Sequence, residues 1–260
     1  MLRMDFIVIN KIIDSFDKAI TDINDGAKLH CGGFYGPAEN PSYLIAALMR
    51  KGVKNLTVAS NLGGIGITGI AEIREHVRGM VEFPSDFWDI GELFNRGQVS
   101  KGILAFPAAP GSLEWPVEQK LRQGEVEIEL IGQGSLAERI RSARAGIAAF
   151  YTPVGVGTAV AVGKEIREFD GVPHVLETAL RADFSIIRAH RADPRGNLVY
   201  KGTGRTFNPT MAGASDITIA EVDEIVELGA LDPESIITSG VFVDRVVQRP
   251  KEPLQWTEPS

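Results

Sequence analysis

The chain has 260 residues, 44% hydrophobic and 23% charged, enough to bury one large core or two small ones. Its formal net charge is −7, with 34 acidic against 27 basic residues and no Lys/Arg-rich stretch, which speaks against nucleic-acid binding. A single cysteine, Cys31, excludes an internal disulfide framework and fits the cytoplasm; the apolar N-terminal residues are interrupted by Asp5, Lys11 and Asp14, against a signal peptide or membrane span.

Residues 14–25 place Phe16, Ile20 and Ile23 at helical spacing and end at Gly26. The stretch AKLHCGGF, 27–34, predicts a strand running into two adjacent glycines. A helix is predicted over 41–52, with proline near its start and glycine at its end, and a buried strand over 53–61. Beyond it, 70–77 predict a short helix and 83–97 mix turns with a helical piece. Next come a strand over 101–106 running into a proline-rich loop, a helix over 116–124 and a strand over 126–132. A helix over 135–146 has Ser135 as cap and Glu138 as the partner of a capping box, and a strand follows over 147–152.

In the second half the pattern predicts a helix over 174–182 and strands over 183–193 and 196–202. A helix giving way to a strand follows within 211–226, then a last strand over 241–248. Residues 196–209 predict a hairpin and loop. Strands alternating with helices imply an α/β fold, a mostly parallel sheet with helices on both faces. No repeat and no internal linker is visible, so 1–247 read as a single domain and the proline-bearing 248–260 as an extended or disordered tail.

One formal dinucleotide signature is present: GIGITG, 64–69, follows a strand, precedes a helical stretch and has Glu82 at the distance of a ribose-binding acid. Three features weaken it. The residues NLGG separate it from its strand, its helix is short for a crossover, and the stretch after Glu82 does not continue as a buried strand.

GGF after the first strand, KGVKNLTVASN (51–61), GEVEIELIGQGSLAERIRSARAGIAAFYTPVGVGT (124–158), GKEIREFDG (163–171), ADFSIIRAHRADPRGNLVY (182–200), FNPTMAGASDITIAEVDEIVELGALDP (207–233) and VFVDRVVQ (241–248) stand in one order. Together they resemble the α (A) subunit of family I CoA-transferases, typified by 3-oxoacid CoA-transferase, from about Gly26 to Val247. The resemblance implies a CoA-transferase (NagB/RpiA-like) superfamily fold and an enzyme active only with a β subunit, often as α2β2. It further implies an active site at the subunit interface and a nucleophilic glutamate, converted to a glutamyl-CoA thioester, on the β subunit. Coenzyme A would be a substrate, with no permanently bound cofactor and no metal, and this chain would carry no catalytic nucleophile.

On that resemblance Gly32 and Gly33 would let the acyl group and the partner's active-site loop come close, with Phe34 beside them binding substrate, and peptide N–H groups there would face a developing oxyanion; tight strand–helix packing is the alternative. Asn61 falls where the family has an asparagine able to bond an acyl oxygen, and it also suits a turn at a strand end. Gln133 carries the same two readings. Tyr151 and Thr152 sit at the end of a predicted strand, where open α/β sheets bind ligands, though Tyr151 fits a core equally. Arg205 would meet a CoA phosphate or a substrate carboxylate, or form a surface ion pair. Cys31 reads as a small buried residue facing away from His30, and the four histidines have no metal-ligand spacing.

The sequence departs from the 3-oxoacid type in two places. Asn40-Pro41 is more like the glutaconate CoA-transferase branch, and Asn61-Leu62 stands where two asparagines are usual. Residues 66–88 read as an insertion whose Phe83, Phe87 and Trp88 would line a pocket for a bulkier or ring-bearing acyl group, or form an interface patch. Two alternatives stay open: a CoA-dependent hydrolase opening a ring β-diketone, and a stand-alone NAD-binding or non-catalytic α/β protein.

Overall fold

The computed structural model describes residues 9–34, 36, 39–66, 87–108 and 114–251. Its main sheet is built from β1 (Lys28–Cys31), β2 (Leu56–Leu62), β3 (Val99–Phe106), β4 (Glu127–Leu130), β8 (Ala182–Ala192), β10 (Ser215–Ile225) and β11 (Arg245–Gln248). The strand order is β11-β10-β8-β1-β2-β3-β4, every neighbour parallel, with the two-residue β9 (Leu198–Val199) antiparallel to β8.

Period-two alternation sorts consecutive residues to opposite faces. Val58, Leu104, Ile186, Ile219 and Val247 enter one core cluster; Ala59, Ile103, Ile187, Ala220 and Val246 enter the other. The first face is covered by α1 (Phe16–Ala19), α2 (Ser42–Lys51), α3 (Gly91–Asn95) and α4 (Pro116–Arg122); the second by α5 (Gln133–Arg144) and α6 (Asn208–Met211). The predicted α/β class, a mostly parallel sheet with helices on both faces, is the observed one.

Between α5 and β8 lies a second, antiparallel sheet that the alternation did not predict: β5 (Ala149–Thr152), β6 (Ile166–Phe169) and β7 (Val172–Thr178), in the order β5-β7-β6. The predicted helix over 174–182 is therefore mostly strand. Asp170 and Gly171 join β6 to β7 with φ of 50° and 77°, the pair of positive angles that a right-twisted two-residue hairpin requires. Pairing of Val175 with both Ile166 and Thr152 overrides the local helix preference.

Other boundaries also move. The helix predicted over 14–25 is one turn, Phe16–Ala19, although Ile20 and Ile23 are buried as expected. α5 starts at Gln133 with Gly132 as its N-cap, so Ser135 lies inside the helix and caps nothing. β11 ends at Gln248, as predicted, but starts at Arg245, and Arg249 follows it with a guanidinium on Glu221.

α2 has no cap of its own, because its N-cap is Pro41. The fully buried Glu221 of β10 supplies one: its Oε2 accepts the N–H groups of Tyr43 (2.9 Å) and Leu44 (3.0 Å), and its Oε1 meets Arg249 at 2.6 Å. Burial pushes this carboxyl upward despite the arginine. Two orphan donors and the positive end of a helix thus hold an anion that β10 delivers.

Candidate active site

The parallel strands end along one edge, and there Cys31 gives way to Gly32. β1 pairs His30 with Ala59, so two residues on, Gly32 comes level with Asn61 at the end of β2. Cys31 is buried in the first core cluster and burial holds its thiol far above the usual range, so it offers no nucleophile. His30 faces the other way and meets Ser185 at 3.3 Å; burial pushes it down to about 4.

Why glycine follows twice is settled by two asparagines. A Cβ on Gly32 would stand 1.9 Å from Oδ1 of Asn208, and one on Gly33 would stand 2.6 Å from Oδ1 of Asn40. Gly33 also has φ of 104°, outside the range of other residues. Asn208 is fully buried; its Oδ1 accepts the Arg188 N–H at 3.0 Å, and its Nδ2 donates to the carbonyls of Glu39 (3.0 Å) and Gly204 (2.9 Å). One side chain therefore joins the loop after β1, the loop after β9 and strand β8. Of the three consecutive amides, Gly32 donates to Ile186 O and Phe34 to the Glu39 carboxylate. The Gly33 N–H has no partner among the described residues. The expectation that the whole stretch faces an oxyanion narrows to Gly33.

Asn61 is fully buried, and its Oδ1 accepts a hydrogen bond from Gln133 Nε2 at 2.8 Å. The amide is thereby fixed with Nδ2 carrying donors that no described residue accepts. Gln133 is the first residue of α5, a helix of 12 residues whose first turn no side chain caps. Its positive end lies at the same mouth, where a developing negative charge is favoured. Beside it opens a cavity of about 350 Å³ lined by Phe34, Gln133, Ala137, Thr206, Phe207 and Thr210. The structure thus gathers Gly32, Gly33, Phe34, Asn61 and Gln133 at one edge of the sheet.

It does not gather Tyr151 and Thr152 with them. They end β5 of the second sheet, not a strand of the parallel one, so the strand-end argument for them fails. Tyr151 donates to Glu165 at 2.5 Å and packs edge-on to Phe169, while Thr152 Oγ1 accepts the Val154 N–H. Arg205 is exposed on the loop after β9. Phe87 and Trp88 are buried in the first core cluster and line no mouth; Phe83 lies outside the described residues, as does most of the 66–88 stretch.

The dinucleotide signature is overturned by its own occupant. Asp89, buried, accepts the N–H groups of Ile65 (2.6 Å), Gly66 (3.0 Å) and Gly91 (2.9 Å). Two of those amides, Ile65 and Gly66, belong to the glycine turn a pyrophosphate would need. Gly64 is bare because a Cβ would stand 2.1 Å from Gly91 N. Burial pushes Asp89 up to about 6 even with three donors on it, and Glu92 adds to the rise. Residues 67–69 and Glu82 of the signature lie outside the described residues.

Sequence reasoning missed Asn208, Glu39, Asp89 and Thr206. Asn208 had a local cue in FNP, an asparagine beside a proline at a helix start; Asp89 had none, standing 24 residues from its first partner. Among the described residues no three His, Cys, Asp or Glu side chains cluster to hold a metal, and no helix is long and apolar enough to cross a membrane.

The coenzyme A transferase family model matches residues 13–249. The chain is 43% identical to the A subunit of 3-oxoadipate CoA-transferase from Pseudomonas putida over 240 residues, 92% of this chain and 94% of that one. It is 44% identical to the A subunit of succinyl-CoA:3-ketoacid coenzyme A transferase from Xanthomonas campestris pv. campestris over 225 residues, 86% and 83% of the two chains. Glutaconate coenzyme A-transferase from Acidaminococcus fermentans shares the fold at 20% identity and a TM-score of 0.74, over 92% of this chain and 76% of that one. So does the acyl-CoA transferase YdiF of Escherichia coli O157:H7, at 20% identity and a TM-score of 0.73 over 93% of this chain; the chain spans 47% of its length.

Proposed function

Since the chain belongs to the coenzyme A transferase family as its A-type (alpha) component, we propose that it works in the cytoplasm with a β subunit, as α2β2, to move CoA from an acyl-CoA to a free carboxylate. Relatives are named for 3-oxoadipate and for succinyl-CoA with 3-keto acids, which supports an acyl group bearing a 3-oxo function or a second carboxylate.

In this scheme a β-subunit glutamate attacks the thioester carbonyl, CoA leaves as thiolate, and an acyl–glutamyl anhydride forms. The thiolate then attacks the glutamyl carbonyl, the free acid departs and a glutamyl-CoA thioester remains. A second carboxylate reverses both steps. Splitting one transfer into two displacements is the gain of covalent catalysis. CoA is a substrate and no resident cofactor is called on.

Each displacement passes through a tetrahedral oxyanion. The observation that carries the proposal is Asn61, a buried amide held by Gln133 with Nδ2 donors to spare. It needs no proton transfer to serve, and the Gly33 N–H and the open turn of α5 flank it. Gly32 and Phe34 shape the wall; Tyr151 and Thr152 would touch substrate only across the subunit interface.

The test is to co-express the chain with its β partner, incubate the complex with a panel of acyl-CoAs, and weigh each chain intact before and after borohydride reduction. A CoA adduct on the β chain and none here is expected. An adduct on this chain, or no complex, overturns the proposal.

A further inference from the structure

Thr206 stands in the loop between β9 and α6 with φ of 31° and ψ of −127°. Three non-glycine residues among those described have positive φ, and the other two are Asn55 and Asp170, whose short polar side chains suit that region. A residue branched at Cβ does not, and this ψ lies outside the left-handed helical well altogether. The same loop uses glycine at 202 and 204, and Gly202 takes a positive φ of 55°. Glycine is thus used twice in the loop, yet the most glycine-demanding position holds a threonine.

Such strain persists only where the surroundings over-determine it. Here Phe207 is anchored in the second core cluster, and Asn208 ties Gly204 O to Glu39 O. Between these anchors Thr206 is half-buried against the cavity it shares with Phe34, Gln133 and Thr210. Its Oγ1 lies 3.5 Å from Asn208 Nδ2, at the limit of a hydrogen bond, and its hydroxyl proton has no acceptor among the described residues.

Resting on the CoA-transferase proposal, we infer that Thr206 is a specificity-determining contact: its hydroxyl donates to the 3-keto oxygen of the acyl group in the Phe34–Gln133 cavity, and the strained backbone aims it there. A threonine kept for packing alone would be improved by glycine at no loss to the reaction.

The test uses the reconstituted complex with two acceptors of equal length, a 3-oxo acid and the unsubstituted acid. Thr206→Gly should raise the melting temperature by about 2–4 °C and raise KM for the 3-oxo acid roughly tenfold, with kcat and the unsubstituted acid little changed. Thr206→Val keeps the branch and the strain but loses the proton, so it should show the same KM rise at the wild-type melting temperature. Thr206→Ser should keep the wild-type KM. A Thr206→Gly enzyme that is more stable and matches wild type on both acids overturns this inference and leaves the proposed transfer standing. A wild-type complex that transfers CoA to neither acid overturns the proposal beneath and this inference with it.

Discussion

Replacing Gly32 by alanine would place a Cβ 1.9 Å from Asn208 Oδ1 and 3.0 Å from its Cγ. The Gly32 N–H is bonded to Ile186 O and Asn208 begins α6, so neither backbone yields easily. The asparagine side chain must leave, and three buried hydrogen bonds go with it: Arg188 N–H to Oδ1, and Nδ2 to Glu39 O and Gly204 O. At about 1 kcal/mol for each bond the loss is about 3 kcal/mol, a large part of a domain's stability. Urea unfolding followed by the fluorescence of buried Trp88 and Trp115 measures it directly. In an Asn208→Ala background the new methyl keeps only the Ile186 carbonyl oxygen at 3.4 Å, close to an ordinary contact, so the same Gly32→Ala change should then cost under about 1 kcal/mol and the cycle should show about 2–3 kcal/mol of coupling. A Gly32→Ala protein with the wild-type urea midpoint but no activity would refute the reasoning, since the glycine would then be kept for a ligand.

Asp89→Asn turns an amide donor against Ile65, Gly66 or Gly91 and should cost about 2–4 kcal/mol by urea unfolding; an unchanged midpoint would mean the carboxylate does not hold this loop. Glu221→Gln breaks the buried pair with Arg249 and weakens the cap of α2, at about 3 kcal/mol, with hydrogen exchange speeding first at Tyr43 and Leu44; protection unchanged there would remove the cap from the account. His30 is held near 4 in the fold against 6.5 free, so it stabilises above 6.5 and that contribution is lost as pH falls through 4. A His30→Gln variant should therefore gain about 3 kcal/mol on wild type between pH 7 and pH 4, whatever its offset at pH 7; parallel pH curves would show that His30 is not the titrating group. Asn61→Ala should lower kcat on the order of 100-fold, with the β subunit still bound; a fall in KM-dependent binding alone would assign the amide to substrate capture.

The layered architecture was legible because a strand buried on both faces needs a mostly apolar run of β-branched and small residues, and LTVAS, SIIRA and ITIAEV come close to it. The hairpin of the second sheet was legible too, in Asp170-Gly171, but the helix-forming run His174 to Ala182 masked it; strand pairing with residues 23–29 positions away decided the outcome. At the site, Asn61 and Gln133 were identifiable singly, while their hydrogen bond joins residues 72 apart. Glu221 capping α2 from 178 residues away and Asp89 filling a glycine turn had no local signature, since a carboxylate at long range satisfies donors that sequence shows only as a bare turn or a proline. The same two glycines that suggest an open approach for a ligand turn out to accommodate Asn208 and Asn40.

β1 lies at the middle of the main sheet, with β2, β3 and β4 on one side and β8, β10 and β11 on the other. Of the main sheet's described strands it is the first to be synthesised, and the partner on its second edge trails it by 155 residues, the separation between Lys28 and Asp183. At the usual pace of synthesis that is roughly 10–30 s. During that interval the nascent chain can assemble β1 to β4 with α2, but the other edge of β1 and the glycine pair beside it wait uncovered. Chain order thus supplies the sheet from its centre outward, and the last strand supplied, β11, is followed directly by Arg249, which pairs with Glu221.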